Sequence, residues 1–196
     1  VSELEFLTYF GGNDTDFVST FVIDDDGSIA LTGYTLSPDF PVTPDAYQGT
    51  NASLDGFLFL LDRTGSDVVY STYIGGSWGE VINSIAIDSN GDLLMAGLSG
   101  SPDFPVSAGA YCTTHPMQNG DDMVVFIFSR TRNDVVHGTY IGGTGADNAD
   151  TVEIDGDGNI LVGGVTWSAD FPITDNASSS NYSGRPSWKT KTGPSS

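Results

Sequence analysis

Carboxylates dominate the chemistry this sequence could perform. Asp39, Asp103 and Asp170 each recur in the frame Ser-Pro/Ala-Asp-Phe-Pro. Two readings fit them: an Asx-type turn ahead of a Phe that plugs a gap between packed units, or a ring of carboxylates for a metal or a cationic ligand. Asp24-x-Asp26-Gly27, Asp88-x-Asn90-Gly91 and Asp155-x-Asp157-Gly158 carry the alternating oxygen donors that open a calcium loop. They lack the downstream Glu that closes such a loop, and a tight hairpin turn accounts for the same residues. Cys112 and His115 are nucleophile and base types in a Pro-containing loop that is longer than its counterpart upstream. A two-residue gap does not fix their geometry, so His115 is a ligand-binding candidate against a background of ordinary loop-length drift. His137 stands where Tyr70 stands earlier in the chain and reads as a packing residue. Gly-x-Ser-x-Gly, Walker and His-Glu-x-x-His motifs are missing from the sequence. Asn-x-Ser/Thr sequons at Asn13, Asn51, Asn176 and Asn181 would carry glycans only in a eukaryotic secretory route.

Composition narrows the partners. Twenty-six acids face six Lys or Arg, a formal charge of −20 over 196 residues. Such a surface repels phosphate backbones and anionic membranes, which excludes nucleic-acid binding and leaves cationic partners and divalent metals, calcium first, as natural counter-ions. No apolar run approaches the roughly 18 residues of a spanning helix, so membrane insertion is not expected. The single cysteine, Cys112, allows no intramolecular disulfide. The chain opens at Val1, compatible with removal of a leader.

The elements that position these residues repeat. Tyr9-Phe-Gly-Gly12 returns as Tyr73-Ile-Gly-Gly76 and Tyr140-Ile-Gly-Gly143; Ile23-Asp-Asp-Asp-Gly27 returns from Ile87 and Ile154; Ser37-Pro-Asp-Phe-Pro41 returns from Ser101 and Ser168. Every marker steps by 64 and then by 67 residues. Each unit reads as four short strands punctuated by Gly, Pro and Asp, with one long loop after the second. Four strands in about 65 residues indicate a propeller blade with an enlarged loop. The expected fold is therefore an all-β propeller built from four-stranded blades, about three in this chain. Residues 1–12 should complete a neighbouring blade, through a strand over Phe6–Phe10. Residues 13–76 and 77–143 should form blades 1 and 2, 144–183 an incomplete blade 3, and 184–196 a non-repeating basic tail, for roughly eleven strands.

These motifs, in this order and spacing, resemble the SBBP repeats of bacterial β-propellers across residues 5 to about 175. The resemblance implies a secreted or cell-surface protein, found among bacterial and archaeal surface architectures. It carries no catalytic residue set.

With strands named A to D from the propeller axis outward, the B–C and D–A loops share one face. The long loops and the acidic Gly-rich segments after each Gly-Gly should therefore crown that face, where binding is expected. The leading expectation is an extracellular binding or structural module for a glycan, peptide or protein. The alternative is a calcium-dependent propeller hydrolase of lactonase or esterase type, with Asp16, Asn83 and Asp150 near the starts of the inner strands. An open three-blade arc exposes apolar faces, so self-association into a homodimer or trimer is also expected.

Overall fold

The structure, a computed structural model, describes residues 6–116, 120–182 and 184. Among them are ten strands and no helix: β1 (Asp16–Ile23), β2 (Ile29–Thr35), β3 (Asp55–Leu61), β4 (Val68–Ile74), β5 (Glu80–Ile87), β6 (Leu93–Ser99), β7 (Asp122–Ser129), β8 (Asp134–Ile141), β9 (Asp147–Ile154) and β10 (Ile160–Thr166). They form two four-stranded antiparallel meanders, β1-β2-β3-β4 and β5-β6-β7-β8, and a two-stranded sheet, β9-β10. β5 lies against β1 on one side and β9 on the other, so the first strands of the three sheets stand side by side. This is a partial β-propeller whose sheets do not close into a ring.

Local chemistry sets the elements. Each A–B turn ends on a Gly with positive φ (Gly27 86°, Gly91 80°, Gly158 84°), a conformation L side chains rarely adopt. The Asp that opens the turn accepts the N–H of that Gly through its backbone carbonyl, as in Gly91 to Asp88 at 3.0 Å. Each inner strand carries a β-bulge at the same register, leaving Ser19, Asn83 and Asp150 without a cross-strand partner. Opposite each bulge stands a Gly. A Cβ on Gly33, Gly97 or Gly164 would overlap the carbonyl oxygen of Phe17, Val81 or Asn148. The bulge thus brings backbone so close that the recurring Gly is obligatory.

The core lies between sheets. Leu58, Leu60 and Ile74 of the first pack with Ile82, Met95, Phe104, Phe126 and Tyr140 of the second. Leu94, Ala96 and Met123 on the other face of the second meet Ala149 and Val152 of the third, with Phe171 against them. Phe104 and Phe171 therefore fill the gaps between blades. Phe40 does the equivalent on the open face of the first sheet, with Phe57 and Phe59.

Within the single chain two features differ from the expectation, and among the described residues no neighbouring blade is present for residues 6–12 to complete. Phe6–Phe10 is not a strand: Leu7 is 77 % and Tyr9 98 % exposed. An outer strand needs the third strand of its own blade as partner, and none lies beside this segment. Phe10 is anchored by stacking on Phe59 at 4.3 Å between centroids, and the Phe6 ring lies over Gly65. The described residues hold ten strands rather than eleven. The tail expected at 184–196 lies, apart from Gly184, outside the described residues.

The long B–C loops also behave differently from expectation. Beyond Pro41 and Pro105 they turn back along the outer edge of their own blade. Thr43 N–H donates to Ser71 O (3.0 Å) and Tyr73 N–H to Gln48 O (3.2 Å); Ser107 N–H donates to Gly138 O (3.0 Å) and Tyr140 N–H to Cys112 O (3.2 Å). The excess length covers the exposed edges of β4 and β8, which would otherwise offer unpaired backbone groups.

The bulge gives a direct test. Gly97→Ala should lower unfolding stability by about 1–3 kcal/mol or more, read by denaturant titration, because no rotamer relieves a backbone clash. Gly49→Ala, with open space around the added methyl, should leave stability unchanged.

Candidate functional site

Three consecutive backbone N–H groups follow each Tyr-x-Gly, and the same three acceptors collect them in every repeat. The second Gly (Gly12, Gly76, Gly143) donates to the acid that opens the next inner strand: Asp16 Oδ2 at 2.8 Å, Glu80 Oε2 at 2.8 Å and Asp147 Oδ2 at 2.9 Å. The next residue (Asn13, Ser77, Thr144) donates to Oδ1 of Asp39, Asp103 or Asp170, each at 2.9 Å. The third (Asp14, Trp78, Gly145) donates to the hydroxyl of Ser37, Ser101 or Ser168, at 2.9, 2.8 and 2.8 Å. Successive N–H groups on one side of a turn form an anion-binding concavity; here the chain fills it with two of its own carboxylates and a Ser hydroxyl. Hydroxyls complete the clamp: Thr35 donates to Asp16 (2.5 Å), Ser99 to Glu80 (2.6 Å) and Ser168 to Asp147 (2.7 Å).

Asp39, Asp103 and Asp170 therefore do more than close a local turn: each ties its blade to the loop arriving from the previous one, 26 residues earlier. The Ser77 backbone N–H, followed by its hydroxyl, lowers the Asp103 pKa; the Thr144 N–H, then its hydroxyl, does the same for Asp170. Both stay ionised and exposed. The Tyr of each motif works from the other side. Tyr73 donates to Ser37 O (2.8 Å) and accepts from Phe40 N–H (3.0 Å); Tyr140 does likewise with Ser101 O (2.5 Å) and Phe104 N–H (3.1 Å).

Beneath the first Gly of the second and third motifs lies a pair of buried acids. A Cβ on Gly75 would stand 2.5 Å from Glu80 Oε2 and 3.1 Å from Asp55 Oδ2; one on Gly142 would strike both Asp122 and Asp147. All four acids are buried. Burial, and then the Glu80 charge, push Asp55 up to about 6. Gln48 bridges the first joint, its amide donating to Asp55 (2.7 Å) and its carbonyl accepting from Gly75 N–H (2.9 Å). At the second joint His115 takes over part of this role, with Nδ1 3.4 Å from Asp122 Oδ2 and Nε2 2.9 Å from Ser99 O. Neither the acid pairs nor the His115 position follows from the sequence pattern by itself. The recurrence of an acid at 16, 80 and 147, and of Asp at 55 and 122, was the available signal.

The remaining candidates disperse. Cys112 is half-buried, its thiol 3.0 Å from Thr114 O, while His115 faces the joint, so the two do not form a nucleophile–base pair. In the A–B turns, Asp88 Oδ1 accepts from the N–H of Asn90 (2.8 Å) and Asp92 (2.9 Å), and its Oδ2 from the Asn90 amide (3.3 Å). Asp155 does the same with Asp157 and Asn159. Asp26 accepts from Ser28 (2.8 Å), which lowers its pKa. Asp24 carries the guanidinium of Arg130 at 2.5 Å. A calcium ion needs six to eight oxygens. These carboxylates cap their own turns or hold Arg130, and no cluster of three metal-type side chains occurs among the described residues.

Of the axial candidates, Asp16 belongs to the clamp. Asn83 and Asp150 are joined through Asn148: Asn83 donates to Asn148 Oδ1 (2.8 Å), and Asn148 donates to Asp150 (2.7 Å). Asn83 also caps Ala149 O (2.9 Å) on the facing edge of β9.

Residues 69–105 and 138–172 match the family model described as the SBBP β-propeller repeat. No curated protein matches the chain. Each matched segment runs from an outer strand across the clamp to the following Asp-Phe-Pro, so the sequence repeat coincides with the joint between blades.

The acid pair predicts a pH dependence. Asp55 has a folded pKa of about 6, above its unfolded value of about 3.9. The folded state therefore holds the extra proton, and stability should fall as pH rises from about 4 through 6, then level. Melting temperatures across this range should show that fall, and Asp55→Asn should flatten it.

Proposed function

We propose that this chain, which carries SBBP β-propeller repeats, acts as an extracellular or cell-surface binding module, recognising a glycan, peptide or protein through the face shared by the D–A loops and the starts of the B–C loops. One observation carries this reading. Identical clamps fix the loop ends in all three repeats, while the residues at the tips differ: Asp14 with Leu36, Trp78 with Gly100, Gly145 with Trp167. A constant scaffold under variable tips is the organisation of a recognition surface. The long loops contribute only their first residues, since the rest lies along the blade edges.

A second reading has its own support. The bulges place Ser19, Asn83 and Asp150 at one register of the inner strands. A cavity of about 660 Å³ lies along those strands, among Thr20–Asp25, Ser84–Ser89 and Thr151. This suits the alternative of a calcium-dependent hydrolase acting near the axis. Self-association into a dimer or trimer is favoured by the outer sheets, where Phe21, Ile23, Leu161 and Val165 stay exposed.

Glycan, peptide and protein arrays should give binding without turnover that weakens in Trp78→Ala. Turnover in an esterase and lactone screen, abolished by chelator and by Asp150→Ala, would replace this reading with the hydrolase. Light scattering with calcium and with chelator should show more than one chain per particle; a monomer in both overturns self-association.

A further inference from the structure

The recognition face carries exposed aromatic rings beside ionised carboxylates, and this narrows its partner. Trp78 is 47 % and Trp167 49 % exposed, unusual for side chains that gain so much from burial. Both sit at the rim of a clamp. Trp78 follows Ser77, the residue that holds Asp103 Oδ1. Trp167 lies three residues before Asp170, and its N–H donates to Ala146 O at 2.9 Å, fixing it beside the next D–A loop. Trp78 lies on the D–A loop of one repeat and Trp167 on the B–C loop of the next, and in each case the paired loop carries Gly (Gly100 or Gly145). Leu36, at the same register in a four-stranded blade, is also exposed, at 38 %.

Asp103 and Asp170 use Oδ1 for the clamp and lie exposed alongside. Their backbone hydrogen bonds keep them ionised. An exposed indole on the same clamp as an ionised carboxylate suits a cation, which the ring attracts through its quadrupole and the carboxylate through charge. The chain's charge of −20 adds long-range attraction of the same sign.

Resting on the reading of this face as a recognition surface, we infer that its partner is a cationic peptide segment, a Lys- or Arg-bearing stretch of another protein, whose side chains lie over Trp78 and Trp167 against Asp103 and Asp170. Neutral sugars would use the rings but not the charge.

The test titrates hexa-lysine and hexa-arginine peptides, and uncharged gluco-oligosaccharides, into the chain and its variants, read by indole fluorescence and calorimetry. Peptide binding should weaken about tenfold in the double variant Trp78→Ala/Trp167→Ala, whose net charge is unchanged, and should weaken in Asp103→Asn, which keeps an oxygen for Ser77. Thermal melts matching the parent confirm that each variant folds. Equal peptide binding by the parent and the double variant would reduce the effect to bulk charge and overturn the inference. Oligosaccharide binding that needs the tryptophans, with peptides bound no better than by the double variant, would overturn the cationic class and keep the recognition face. Loss of neither in the double variant, with array ligands bound elsewhere, would overturn both.

Discussion

The gathering of three backbone N–H groups after each Tyr-x-Gly is the constraint on which the propeller depends. A sharp turn between an outer strand and the next inner strand leaves those donors, part-buried or exposed, pointing away from any strand ladder. The next blade supplies the acceptors: an acid from its inner strand, a Ser and an Asp from its B–C loop. The three donors after each Tyr-x-Gly are thus satisfied across the blade boundary, while Gln48 of the first blade takes the Gly75 N–H just before them. The joint therefore sets the angle between neighbouring sheets, and the phenylalanines that fill the gap between them follow each Asp directly.

This arrangement places strong charge where water is scarce. Glu80 accepts the Gly76 N–H and the Ser99 hydroxyl, and Asp55 accepts the Gln48 amide, yet the two carboxylates still repel one another. The second joint solves the same problem with an imidazole: His115 reaches Asp122 and the Ser99 carbonyl. The longer loop around Cys112 is what lets His115 descend into the joint. Variation that reads as drift along the chain is, in space, a different answer to buried like charge.

With the joints fixed, the outer surface is free to vary. The B–C loops lie along β4 and β8 and shield them from edge pairing. Loop tips above the clamp differ from repeat to repeat while the clamp stays constant. The residues that join the blades and the residues that vary thus lie only a few positions apart.

Much of this was written in the chain. The steps of 64 and 67 residues, shared by three markers, required tandem four-stranded units, because a repeat of sequence can only mean a repeat of local structure. The turn glycines followed from the same markers, since only Gly sits easily at positive φ after an Asp. What only the tertiary structure decided concerns contacts between units. Phe6–Phe10 has the composition of a strand but no neighbour to pair with. The recurrence of Gly33, Gly97 and Gly164 has meaning only once a bulge presses a carbonyl against them. Asp39, Asp103 and Asp170 look alike as turn formers, and their partners lie 26 residues upstream, across a blade boundary. Periodicity in a sequence reports what each unit repeats; which donor meets which acceptor between units is fixed by the twist and stacking of whole sheets, and no local pattern records it.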